Sequence, residues 1–428
     1  MHRDLEEMPP TRVAAWLITL ACGLQIALTP AAVGQEKEAG RANEALLPIK
    51  NDRFAAGGTA EQPITDWTFE SLSMDVNPDD FSSTVRIGPR GDATIAIPTD
   101  GTGVTLQGTT DLARGDLVSS PCALKPFRWV KVGVEYVVES GEPLVFVCLR
   151  PTKDRSLVDL EFLPKAAPGE KRKAFVRLHT GSLDGDYSIA VSIHGTGSVR
   201  FLIVKAKEDG EYPRPTRPAV VIDLMHERPA TEGLHRWNEI YKLETVYGFP
   251  AIQFLSYTEV TPAKLKALDP ALILLWPYAD REQNPDRQKV IAATRAAARH
   301  GAPLIGTGLG HQILAQAEKN VAMDREVEVG PTRLDIVADD PVFAGLPRPS
   351  HFFAEESHRF IVREVPPGAE IIASSETVVT QAFHYTGKPW YTFQPNIERG
   401  WEIACPEACI VWKNLLRGWG LAPPAEKR

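Results

Sequence analysis

The run Gly306-Thr307-Gly308-Leu309-Gly310-His311-Gln312 is where residue types and spacing in this chain point to chemistry. It follows the apolar Pro303-Leu304-Ile305 and leads into Ile313-Leu314, so it reads as a buried strand, a tight glycine turn and a helix start. That is the shape of a nucleophile elbow, which lifts one side chain from a strand end into a site. Glycines suit such a turn because its backbone needs dihedrals closed to other residues and packs closely. The apex here is Gly308, which has no side chain to lift. Any chemistry would fall to neighbours: the Thr307 hydroxyl beside the apex, with His311 or His384 as base. No Ser/His/Asp spacing accompanies them.

The elements around the turn alternate between strand and helix. Ala219 to Asp223, Ala251 to Leu255, Ala271 to Leu275 and Pro303 to Ile305 are continuous apolar runs of strand length. Between them, Thr231 to Tyr247 places Leu234, Trp237, Ile240 and Tyr241 at helical spacing. Pro262 to Leu268 is a short helix with Thr261 as its cap and Pro262 at its first position. Asp286 to His300 is an alanine-rich helix. Apolar strands between helices predict a parallel sheet covered on both faces.

The whole chain has 428 residues, enough for two or three domains and a large core. Its formal net charge of −8 offers no basic field for nucleic acid or anionic lipid, so neither is expected as a partner. Residues 1–34 read as an export signal: Val13 to Leu28 is almost wholly apolar, and Ala32-Val33-Gly34 fits small-x-small cleavage before Gln35. The alternative is an uncleaved anchor within residues 13–34. The protein is therefore expected to be periplasmic or secreted. Residues 35–61 are polar and small and read as a disordered linker. An oxidising compartment would allow a Cys122–Cys148 bridge. Cys405 and Cys409 share an i,i+4 spacing but would need two more ligands to hold zinc, so no metal and no cofactor are expected.

Residues 62–207 read as all-β. Alternating runs recur at 83–87, 93–97, 130–136, 144–149, 173–178, 187–193 and 199–204, separated by turns such as Asp184-Gly185-Asp186 and Gly195-Thr196-Gly197. Period-two strands at this spacing predict a sandwich or jelly roll. The run Asp186-Tyr187-Ser188-Ile189-Ala190-Val191, then Gly195-Thr196-Gly197-Ser198-Val199-Arg200-Phe201, resembles galactose-binding-like and carbohydrate-binding jelly rolls. Phe127, Trp129, Tyr136 and Tyr187 are candidates to stack on sugar rings, against the plainer reading that they fill the core. Residues 208–217, punctuated by Pro213 and Pro215, read as a hinge before a second domain at 218–428.

That second domain resembles the class I glutamine amidotransferase-like fold, a flavodoxin-like α/β sheet. The family writes its nucleophile turn as Gly-Ile-Cys-x-Gly-His-Gln, which stands here as Gly306 to Gln312. Its closing landmark, Gln-Phe-His-Pro-Glu, stands here as Gln394-Pro395-Asn396-Ile397-Glu398, after Trp390-Tyr391-Thr392-Phe393. Ser357-His358-Arg359-Phe360, Val365 to Ser374, and a closing helix from about Pro406 to Trp419 match the connecting elements. Carried over by position, the resemblance puts Gly308 where the family has its cysteine nucleophile and Asn396 where it has its histidine base. Glu398 remains at the orienting acid. The family's glycine-rich oxyanion loop is replaced by Trp276-Pro277-Tyr278, and Pro277 has no N–H to donate.

Without thiolate or imidazole there is nothing to attack an amide or move its proton, so glutaminase activity is expected to be absent. Three readings follow. The first is an exported, non-catalytic binding or scaffold protein, with Trp276, Tyr278, Thr307, His311 and Glu398 lining a pocket at the strand ends. Its partner would be a small molecule, a glycan or a protein. The second is a hydrolase-type enzyme with reassigned residues. The third is a carbohydrate- or surface-binding protein acting through the β-sandwich.

Overall fold

The structure, a computed structural model, describes residues 46–424 apart from 48, 51, 55–63, 78–81, 89–90, 153–158, 226–241, 277–285, 320, 322 and 400–404. The export signal at 1–34 lies outside the described residues, as does most of the helix expected at 231–247, of which 242–245 are helical.

The N-terminal half is built from β1 (Trp67–Asn77), β2 (Ser82–Gly88), β3 (Ala93–Ala96), β4 (Val104–Gly108), β5 (Arg114–Ser119), β6 (Cys122–Leu124), β7 (Arg128–Gly141), β8 (Leu144–Pro151), β9 (Asp159–Phe162), β10 (Lys171–His179), β11 (Gly185–His194) and β12 (Gly197–Glu211). One sheet runs β2-β1-β5-β11-β8-β9 with β6 beside β11, and the other runs β10-β7-β12-β4-β3. Alternation explains β7: Val130, Val132, Val134, Tyr136 and Val138 face the core, with Lys131 and Glu135 between them on the outer face. In β8 every residue from Leu144 to Pro151 is buried, because both faces of that strand are covered.

The outer cover is the C-terminal half. Its elements are β13 (Ala219–Asp223), β14 (Ile252–Ser256), α1 (Pro262–Leu268), β15 (Leu272–Trp276), α2 (Arg287–His300), β16 (Leu304–Thr307), α3 (Leu309–Glu318), β17 (Met323–Ile336), β18 (His351–Val362), β19 (Ala369–Ser374), β20 (Ala382–Tyr385), β21 (Trp390–Phe393) and α4 (Pro406–Gly418). Thr261 caps α1 by accepting the Lys264 N–H, with Pro262 in the first turn as expected. The sheet order is β14-β13-β15-β16-β21-β20-β19-β17-β18. Strands β14 to β21 in that order are parallel, and the remaining four pair antiparallel. The expectation of a parallel sheet therefore holds for five strands, and the sheet as a whole is mixed. The alternating, half-exposed pattern of β17 suits an antiparallel strand with one wet face.

The expected hinge is built differently. Residues 208–211 complete β12, and the halves pack as one compact unit from Glu44 to Arg428. Charges line the contact. Lys413 on α4 reaches Asp159, Glu161 (2.7 Å) and the Leu160 carbonyl (2.9 Å), while Arg417 shares Glu161 at 2.7 Å. The cations of Lys413 and Arg417 outweigh burial and hold Glu161 down at about 2. Part of the expected linker is also built in: Phe54 is wholly buried against Trp67 (4.8 Å), and the Leu47 N–H bonds the Ala206 carbonyl. Cys122, Cys148, Cys405 and Cys409 are free thiols, so the allowed Cys122–Cys148 bridge is not formed. Trp129, Tyr136 and Tyr187 are core residues, and Phe127 lies under the Arg214 guanidinium at 4.1 Å, so they form no sugar platform.

Candidate functional site

Each elbow glycine has its own geometric reason. Gly308, between β16 and α3, has φ 51° and ψ −116°, a combination a side chain would strain. A Cβ on Gly306 would lie 2.8 Å from the Gly310 backbone, and one on Gly310 would lie 2.4 Å from the Leu275 carbonyl oxygen. The turn thus presses α3 onto β15 and β16. The Gly308 N–H bonds the Phe393 carbonyl at 2.9 Å, and the Gly308 carbonyl accepts from His311 and Gln312 at 3.1 and 3.3 Å.

The side chains of the expected pocket are divided by the sheet. Thr307, wholly buried, donates its hydroxyl to Glu398 Oε1 at 3.4 Å. The acid position therefore meets a hydroxyl next to the apex. His311 lies on the opposite face, where its Nδ1 is 2.9 Å from the Thr392 hydroxyl and its ring stacks on Phe383 at 4.7 Å. Burial, with the positive His358 nearby, pushes its pKa down to about 3, so the ring is neutral. Trp276 is buried at the end of β15, and its indole N–H has no acceptor among the described residues. Pro277 and Tyr278 lie outside the described residues. Asn396 is half-buried and is tied by its backbone N–H to the Glu355 carbonyl at 2.9 Å, as an isolated bridge to β18.

His384, the other candidate base, pairs with Asp340 (2.8 Å) and stacks on Tyr391 (4.2 Å), whose hydroxyl also donates to Asp340. Neither histidine is a partner of Thr307. The described members of the expected pocket are thus buried, and Thr307, His311 and Glu398 are engaged inside the protein.

Residues that spacing did not mark form a polar chain behind the elbow. Gln312 Nε2 donates to the Phe360 carbonyl (2.7 Å) and to Gln394 Oε1 (3.3 Å). The Gln394 N–H bonds the Gln381 carbonyl, and Gln381 Nε2 reaches Glu328 at 2.6 Å. Glu328 and Glu356 both approach His358, at 3.0 and 3.2 Å. The signal available was Glu356-Ser357-His358, two chemistry-bearing residues at strand period on one face.

Residues 252–394 match the family described as glutamine amidotransferase class-I, a span that holds the elbow and ends before Asn396. The chain is similar to the glutamine-hydrolyzing GMP synthase of Parafrankia sp. (strain EAN1pec), 32% identical over 160 residues, 34% of this chain and 29% of that protein. It is similar to a glutamine-hydrolyzing GMP synthase subunit of Thermococcus kodakarensis, 33% identical over 98 residues, 22% of this chain and 51% of that one. The chain thus spans about a third to a half of the length of these curated relatives. Among solved structures it is similar to a GMP synthase-type protein from Thermoplasma acidophilum, 17% identical with a TM-score of 0.37, covering 49% of this chain and 95% of that one.

Proposed function

Starting from a C-terminal half that carries a class I glutamine amidotransferase-like domain, we propose that this protein is an exported, non-catalytic member of that fold group, acting as a scaffold or binding protein. The observation that carries the reading is Gly308. It holds the elbow's apex and its unusual backbone, but offers no nucleophile. Asn396 at the base position agrees, since an amide cannot take and return a proton near neutral pH. Thr307 bonded to Glu398, and His311 locked to Thr392 on the far face, count against a reassigned hydrolase. Because these groups are engaged internally, the scaffold version is better supported than a pocket at the elbow. The apolar run within 13–28 supports export. The test is ammonia release from glutamine by the full chain. No release above a protein-free blank is expected, and sustained turnover that is lost in Thr307→Ala would sink the reading.

A second reading has its own observation. A groove of about 320 Å³ opens on the N-terminal half, lined among others by Asp66, Thr68, Glu70, Ser120, Arg150 and Thr152. Hydroxyls and carboxylates converging this way suit a polyhydroxylated ligand. We therefore propose that the half is a jelly-roll-like sandwich that binds carbohydrate or a surface at this groove. A glycan array probed with the full chain tests it, with signals expected to fall in Glu70→Gln. An array without any signal would remove the reading.

A further inference from the structure

The polar chain behind the elbow ends in a cluster that neither reading uses. Glu356 and His358 lie two residues apart on the edge strand β18, and so on one face. Opposite them the register of β17 slips. Arg325 faces Phe360 but Glu328 faces His358, so two residues of β17 stand against Arg359 alone. This is a β-bulge, which re-aims a side chain. Without the extra residue Val327 would face His358; instead Val327 is 45% exposed and Glu328 turns inward.

The inward turn creates an imbalance. His358 Nε2 lies 3.0 Å from Glu328 Oε2 and 3.2 Å from Glu356 Oε2. One ring nitrogen carries one proton, so it cannot donate fully to both carboxylates. Glu328 has other donors in Gln381, Ser375 (2.8 Å) and Thr377. Glu356 is wholly buried, and neither of its oxygens accepts a hydrogen bond from any other described group. Gln381, also wholly buried, sets its Nε2 on Glu328 and leaves Oε1 without a partner beside the cluster. The three ligand atoms lie within 4.8 Å of one another.

We propose that Glu328, Glu356 and His358 bind one divalent first-row transition-metal ion, of the Zn²⁺ or Mn²⁺ type. The ion replaces the proton on Nε2 and gives both carboxylates a positive partner. Two carboxylates and a neutral imidazole then balance a 2+ charge, as a buried site requires. One nitrogen and two oxygens are a donor set these ions accept, and Gln381 Oε1 or water completes it. On the solvent side of the cluster, the exposed Thr377 on the 375–377 turn donates its hydroxyl to Glu328. The site is separate from Cys405 and Cys409, whose spacing lacks the further ligands a metal needs.

The test strips the full chain with a chelator and titrates it with Zn²⁺ and with Mn²⁺, reading stoichiometry by metal analysis and affinity by calorimetry. One equivalent of at least one ion is expected, with release of protons. Glu356→Gln and His358→Gln should each weaken binding about tenfold or more. Glu376→Gln, on the same turn but facing solvent, should not. Co²⁺-loaded protein should show an N/O-ligand spectrum without thiolate charge transfer. Substoichiometric binding of both ions, unchanged affinity in the two cluster variants, or a thiolate band would each overturn the site. Should a cluster variant fail to fold, stoichiometry and the Co²⁺ spectrum of the unaltered chain decide alone.

Discussion

The elbow and the β17–β18 cluster occupy one sheet and are opposites. At the elbow three glycines hold a demanding backbone, and the apex presents no reactive side chain. At the bulge an ordinary antiparallel pair, altered by one residue, brings two carboxylates and an imidazole together. The difference is between a motif made by backbone and one made by side chains. A turn that seats a helix on a sheet persists for packing reasons even where its apex does no chemistry. A cluster drawn from separate strands leaves no compact signature and depends on register.

The largest expected effect tests the cluster. His358→Leu leaves two buried carboxylates without their shared cation, which should cost about 3–5 kcal/mol in denaturant unfolding. A loss no larger than that of an exposed substitution would mean the cluster is not the charged core of this sheet. The elbow should fail sterically instead. Gly310→Ala drives a Cβ into the Leu275 carbonyl, and about 1–3 kcal/mol of destabilisation is expected in the same experiment. A neutral result would show that α3 is free to move off β15.

Acid should separate the two regions further. The His311 pKa falls from 6.5 to about 3 on folding, so its contribution to stability is fully present above pH 6.5 and is lost as pH falls toward 3. The part lost by pH 5 should be about 2 kcal/mol. His311→Gln should flatten the stability profile between pH 6.5 and 4, and an unchanged slope would place the sensitivity elsewhere. The smallest effect is expected at the bulge's outer residue. Val327→Thr points to solvent and should shift stability by no more than about 0.5 kcal/mol. A larger loss would show that the bulge, and with it the register of Glu328, depends on that side chain.

Much of the architecture was legible because it rests on local chemistry. The cap at Thr261, the strands at 219–223 and 390–393, and the helix leaving Gly308 stand where residue type and period put them. The long strands β17 and β18 were less legible, since polar residues fill their wet face and dilute the alternation. The packing of the two halves against each other was not legible. Pro213 and Pro215 mark a linker, but Lys413 is a charge whose burial follows from pairing with Asp159 and Glu161 across a contact that no local window contains. Thr307 and His311, four residues apart, read as neighbours of one site, yet strand alternation and the helix start send them to opposite faces.

The sequence by itself determined the strand-turn-helix of the elbow, the glycine at its apex and the sheet-rich character of the first half. Those depend on backbone freedom and on periods of two and 3.6 residues, which a linear chain carries openly. Only the tertiary structure decided which side chains meet. One extra residue in β17 sets Glu328 rather than Val327 against His358, and that choice is made by strand pairing across the sheet.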